Sequence, residues 1–140
     1  MRVLALDYGS ARCGCALSDP TGTIVTPVAA VERPATRRGL AEIAKLVADR
    51  EVERVVLGLP LSLRGEDTDQ TRETREFAAA LATRLGAGVP IELHDERFTT
   101  RIAAGMVNAY SCEDSRAAAV LLEDWFAHAH RSGRTDGVSS

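Results

Sequence analysis

The 140-residue chain is short of several things, and each shortage removes a class of answer. It has three cysteines, an odd number, and no C-x-x-C or H-x-x-x-H pair, which argues against a disulfide framework and against a structural zinc site. Cys13 and Cys15 alternate with Gly14 and share one face of a strand; with Cys112 they are expected to be reduced thiols. No apolar run approaches the roughly 20 residues that span a bilayer, so no membrane association is expected. The opening run from Met1 meets an acid at Asp7, too soon for a signal peptide, and the expected location is the cytoplasm. Lysine is nearly missing, with Lys45 the single example, and the net charge is −3. There is no basic surplus to mark a nucleic-acid binder. Any such activity must rest on local arginines or on metal ions that offset acids.

What is present is the composition of an ordinary globular protein, 45% hydrophobic and 26% charged. The length suits one core, expected over residues 1–131, with a polar, glycine-containing flexible tail over 132–140. Residues 2–8 read as a buried strand ending in an acid. A turn at Gly9 to Arg12 leads to a second strand over 13–17, and a turn at Pro20 to Gly22 to a third over 23–31. The period then changes. Leu40, Ile43, Ala44 and Val47 trace one face of a helix, and Glu53 to Leu59 reads as a buried parallel strand closed by Pro60. Asp67 with Gln70 resembles a capping box opening a long helix, whose apolar face is Phe77, Ala78, Leu81, Ala82 and Leu85. Gly86 to Gly88 ends it, and Pro90 to Leu93 forms a fifth strand. A helix over 99–107 and a last one, introduced by Ser111 to Asp114 and buried along Ala118, Leu121, Leu122, Trp125 and Ala129, complete the order β-β-β-α-β-α-β-α-α. That order predicts an α/β fold with a five-stranded mixed sheet flanked by helices.

Acids stand out against this frame. Asp7 ends an apolar strand, where burial is costly unless a positive charge meets it; a solvated strand end or an Asx-turn into Gly9 is the plain alternative. His94-Asp95-Glu96-Arg97 follows the last strand, where helix-dipole complementarity would also account for acids. Asp114 sits where a capping box from Ser111 would suffice. Taken together, the carboxyl ends of the parallel strands open on one sheet edge, to which Asp7, Asp95 and Glu96 would come and the last helix could bring Asp114. Carboxylates gathered there would repel unless divalent ions lay between them. Oxygen ligands suit Mg2+ or Mn2+, and two such ions about 4 Å apart serve in-line attack on a phosphodiester.

Four segments carry a resemblance to a known family. Leu6-Asp-Tyr-Gly-Ser-Ala-Arg-Cys-Gly14, with Gly9 and Arg12 in place, resembles the D-x-G-x-x-R-x-G start of the YqgF/RuvX family. Gly58-Leu-Pro60-Leu with Gly65 is similar to its G-x-P-L stretch, Asp95-Glu-Arg-Phe-Thr-Thr100 to its D-E-R-x-[ST]-T motif, and Asp114-Ser-Arg-Ala-Ala118 to its D-x-x-A-A motif. The four keep the family order across nearly the whole chain. The resemblance implies a ribonuclease-H-like fold and a metal-dependent nuclease. The family was first described as Holliday-junction resolvases and is now linked to maturing the 5′ end of the small-subunit ribosomal RNA precursor. It further implies that Asp7, Glu96 and Asp114 are catalytic and hold the metal ions, with Asp95 assisting. Arg12 and Arg97 become candidates for phosphate, while Thr99 and Thr100 would position the loop or cap a helix. His94 is expected to be structural.

The chain departs from the family in one place. Residues 108–113 before Asp114 are short and lack the lysine-rich stretch of many relatives, so nucleic acid would be gripped elsewhere. Arg64, Arg72 and Arg75 are either a substitute patch or solvated surface charge. The expected partner is RNA ahead of four-way DNA, in association with assembling ribosomal particles, with the protein a monomer or homodimer. Two other classes begin from the same features. An actin-like ATPase would need a second facing domain, and a non-catalytic nucleic-acid or protein binding module would gain nothing from unpaired carboxylates beside phosphates.

Overall fold

The structure is a computed structural model that describes residues 1–96 and 115–132, with side chains as far as Ala129. Strands β1 (Val3–Asp7), β2 (Arg12–Ser18) and β3 (Val25–Glu32) form an antiparallel meander. On the other side of β1, β4 (Arg54–Leu59) and β5 (Ile91–Asp95) add in parallel, giving the order β3-β2-β1-β4-β5. The mixed five-stranded sheet with β1 at its centre is therefore the one expected, with strand ends displaced by a residue or two. Helices α1 (Arg37–Asp49) and α2 (Asp69–Leu85) pack together on one face, and α3 (Arg116–Ser132) lies on the other. The helix expected over 99–107, and Ser111 to Asp114, lie outside the described residues.

The two faces are built from different side chains. Period-2 alternation sends Leu4, Leu6, Val55 and Leu57 towards α1 and α2, where they meet Ile43, Val47, Phe77 and Leu81. Tyr8 extends this face beyond β1, its ring stacked 4.5 Å from that of Phe77. Val3, Ala5, Ala16 and Val56 point the other way, against Ala118, Ala119, Leu121 and Leu122 of α3. Small residues on both sides of that second contact let the helix approach the sheet closely. Its first turns are enclosed, so Ala119 and Val120 are buried along with the expected stripe, while Trp125 and Ala129 are only half-buried.

The entry into α2 differs from expectation. The N-cap is Thr68, one residue beyond Asp67, and the capping box closes with Thr71, whose hydroxyl also donates to the carbonyl of Pro60. Thr71 and Thr74 are fully buried because backbone carbonyls accept from their hydroxyls. This moves the apolar stripe towards the N-terminus, and Ala82 is exposed. Asp67 instead pairs with Arg75 at 3.1 Å. The helix ends at Gly86, whose φ of 80° is a conformation that glycine adopts without strain.

The β2–β3 ladder contains an irregularity: Cys13 faces Val31, but Cys15 faces Val28. Ser115, just before α3, fits into it. Its hydroxyl accepts from the Cys15 N–H at 3.0 Å and donates to the Val28 carbonyl at 2.5 Å. A side chain just ahead of the last helix thus satisfies two backbone groups at the bulge and fixes where α3 begins.

Candidate active site

Asp7 lies at the carboxyl end of the central strand, and alternation puts it on the α3 face. Its lateral neighbour on β2 is Gly14. The β1–β4 register, continued one step beyond Leu6 and Leu57, makes Gly58 its neighbour on the other side. Asp7 is thus flanked by two glycines, neither of which sets a side chain against its carboxyl along the sheet. Gly58 in turn faces His94 of β5.

Glu96, the residue after Asp95 at the end of β5, exploits the gap. Two strand spacings, about 10 Å, separate β5 from β1, yet the Glu96 side chain crosses β4 and shares a hydrogen bond with Asp7. It can do so only over a residue without a side chain. A Cβ on Gly58 would lie 2.5 Å from Glu96 Oε2 and 3.0 Å from its Cγ. The glycine of Gly58-Leu-Pro-Leu61 is therefore the passage for a carboxylate. The loop after it is held by the Thr71 bond to Pro60 and by a turn in which the Gly65 N–H donates to the Ser62 carbonyl at 2.8 Å. Gly9 serves a tight turn, since a Cβ there would lie 2.8 Å from the Arg12 carbonyl.

The electrostatics of the pair follow from this geometry. Burial raises the Asp7 carboxyl above its ordinary range, against a lowering by the hydrogen bond from Glu96. Glu96 is pushed up to about 7, first by burial, then by the charge of Asp7, by their hydrogen bond and by the charge of Asp95. Among the described residues no lysine or arginine forms an ion pair with either carboxyl. Two acids therefore meet in a half-buried place and share a proton where a cation would serve. Their donor atoms are all carboxylate oxygens, a set that fits a hard divalent ion.

Residues 1–128 match the family model described as "RuvX: Holliday junction resolvase". The chain belongs to the RuvX family. A relative from Maridesulfovibrio salexigens, named "Putative pre-16S rRNA nuclease", is 39% identical over 137 residues, 92% of this chain and 100% of that protein. One of the same name from Chloroflexus aggregans is 37% identical, covering 88% and 91%. Among solved structures, Thermus thermophilus RuvC superposes with a TM-score of 0.66 at 14% identity, covering 95% of this chain and 97% of that one. The fowlpox virus Holliday junction resolvase gives 0.52 at 12% identity, covering 92% and 99%. The ribonuclease-H-like fold read from the sequence is the fold observed.

The RuvX motif residues fall into place unevenly. Asp7, Gly14, Gly58 and Glu96 come together, and Asp95, opposite Leu59, is close enough for its charge to act on Glu96. Arg12 stands at the start of β2, side chain half exposed, with Glu32 of β3 3.8 Å away. Arg97, Thr99, Thr100 and Asp114 lie outside the described residues. The arginines proposed as a substitute patch divide: Arg72 pairs with Asp69, and Arg75 with Asp67, so those two are charge-balanced locally.

Two polar residues, Asp124 and His128, went unnoticed in the sequence. His94 donates or accepts at Nε2, 2.9 Å from Oδ2 of Asp124, and Asp124 also has His128 Nδ1 at 3.4 Å. Asp124 and His128 are one helical turn apart and adjoin the stripe of Leu121 and Trp125. An acid on the inward side of an apolar helix was the available signal.

Proposed function

We propose that this chain is a divalent-metal-dependent nuclease that hydrolyses phosphodiester bonds, with the precursor of 16S ribosomal RNA as its substrate. The observation that carries the reading is the Asp7–Glu96 pair, two half-buried carboxyls brought together over Gly58 with no ion pair to a cationic side chain among the described residues. The names of relatives support the substrate. Asp7 and Glu96, with Asp114 and Asp95, would hold Mg2+ or Mn2+, two ions in the working state. Bound there, such ions supply an activated water and stabilise the leaving oxygen.

The residues have separable tasks. Asp7 is fixed by the central strand and gives the site its rigid side. Glu96 reaches in from the edge strand, and its carboxyl, with a pKa of about 7, gives up its proton close to neutral pH. Gly14 puts no side chain of its own beside Asp7 on β2, and Gly58 gives the Glu96 side chain its passage to Asp7. Arg12, at the rim, and Arg97 are assigned to phosphate contact. We place the activity in the cytoplasm, on assembling ribosomal particles, within one domain over residues 1–131 acting as a monomer or homodimer.

A second reading is cleavage of four-way DNA, favoured by the family description and by a Thermus thermophilus RuvC structure in complex with Holliday junction substrate, which gives a TM-score of 0.65 at 15% identity and covers 95% of this chain and 96% of that one. One assay separates the readings. Wild type and Asp7→Asn are given a labelled precursor-RNA leader and a four-way junction, with Mg2+, Mn2+ or chelator. Metal-dependent cutting of the RNA, reduced at least about 100-fold in the variant, is expected, because loss of a supporting group around a metal already costs 10- to 100-fold. Cutting of the junction alone would move the assignment to DNA. Cutting that persists in Asp7→Asn or in chelator would refute the site.

A further inference from the structure

The strand that ends in Asp95, just before Glu96, carries a second polar group beside the carboxyl pair, with different chemistry. His94 of β5 and Asp124 and His128 of α3 bring two imidazoles and one carboxylate together, with one ligand atom from each lying within 4.8 Å of the others. His94 and Asp124 are buried, at 8% and 5% exposure. The His128 side chain is 34% exposed. His94 Nε2 lies 2.9 Å from Oδ2 of Asp124, while His128 Nδ1 lies 3.4 Å from the same oxygen and donates to the Asp124 backbone carbonyl at 3.0 Å, a bond it would give up on holding an ion. Ligands bound tetrahedrally at about 2.0–2.1 Å stand about 3.3 Å from each other. The two separations to Oδ2 differ from that by only a few tenths of an ångström, and the third, between the imidazoles, lies within 4.8 Å. A cleft of about 280 Å³, lined in part by His94, His128, Trp125, Glu92 and Asp95, gives access from solvent and room for a fourth ligand.

We propose that His94, Asp124 and His128 form a metal site separate from the Asp7–Glu96 pair, selective for a borderline divalent ion, Zn2+ in the first instance. Two imidazoles with one carboxylate suit zinc or cobalt and suit magnesium poorly, the reverse of the all-oxygen pair next to it. The consequence for the fold is a clamp. Helix α3 packs most extensively on β1 and β2, and an ion held between His94 and the Asp124–His128 turn ties it to the edge strand that delivers Glu96. The site does not depend on the nuclease reading.

The test uses the full chain and the metals alone. Co2+ is titrated into wild type, Glu96→Gln and His128→Ala while visible absorption is followed, and thermal melts are recorded with and without Zn2+. Expected are a tetrahedral Co2+ band retained in Glu96→Gln, affinity reduced about tenfold or more in His128→Ala, and a Zn2+-induced rise in Tm that His128→Ala lacks. His128 is partly exposed, so its variant should fold; a metal-free melt checks this, and His128→Gln replaces it if needed. Absence of a Co2+ band in wild type, or Co2+ affinity unchanged by both His128 substitutions, would overturn the proposal and leave a hydrogen-bonded cluster. Loss of the band in Glu96→Gln would overturn the separation of the two sites.

Discussion

The two faces of the sheet share the same strands and do different work. Towards α1 and α2 the alternating positions are Leu4, Leu6, Leu17, Val55 and Leu57, met by Ile43, Phe77 and Leu81, a contact of large apolar side chains. Towards α3 the same strands offer Val3, Ala5, Gly14, Ala16 and Gly58, and polar groups enter between them: Asp7, Ser18, His94, Ser115 and Asp124. One face contributes burial. The other gives up burial for space, and the space is filled by carboxyls, imidazoles and a serine hydroxyl that must each find a partner. A sheet can tolerate this because the first face is continuous from Tyr8 to Val52.

If that division is right, substitutions on the two faces should fail in different ways. Among substitutions outside the carboxyl pair, Gly58→Ala should have the largest effect on activity. The added methyl meets Glu96 Oε2 at 2.5 Å, and displacement of a reacting-site group by about 1 Å can cost about 100-fold in rate. Because the change also relieves a strand glycine, Tm should hold or rise, so melts and cleavage rates measured together should part company. Leu81→Ala, on the opposite face, should do the reverse, costing about 3 kcal/mol in denaturant unfolding with the cleavage rate of the folded fraction preserved. Ser115→Ala falls between the faces in kind and below Leu81 in size. It strips partners from the Cys15 N–H and the Val28 carbonyl, about 2 kcal/mol.

A pH slope is expected as well. In chelator, the folded chain holds the Glu96 proton up to about 7, against an ordinary value of 4.5. The stabilisation from this group is therefore complete below about 4.5 and is lost as pH rises through about 7. The melting temperature should fall by a few degrees across that window, and Glu96→Gln should flatten the fall. A slope of the opposite sign would mean that the carboxyl is paired with a cation.

Much of this was legible in the sequence, for identifiable reasons. An apolar run stopped by Asp7, the turns at Gly9 and Gly22, and the change to a helical period after residue 36 are local signals, and they lead to the meander and the parallel additions. The gathering of Asp7 with Glu96 was inferable from strand ends alone. What Gly14 and Gly58 do was not, because it depends on which residues lie side by side across three strands. Asp124 and His128 were hidden for the same reason: their partner His94 is 30 residues from Asp124. The choice of Thr68 over Asp67 as the cap of α2 was decided by a contact with Pro60 that no local pattern encodes.

Whether the α3 face holds a divalent ion between Asp7 and Glu96 is decided by calorimetric titration of Mn2+ into wild type and Glu96→Gln at mildly alkaline pH. The account requires binding to wild type, at least about tenfold weaker in a variant that melts no lower. Equal affinity in the two proteins would contradict it.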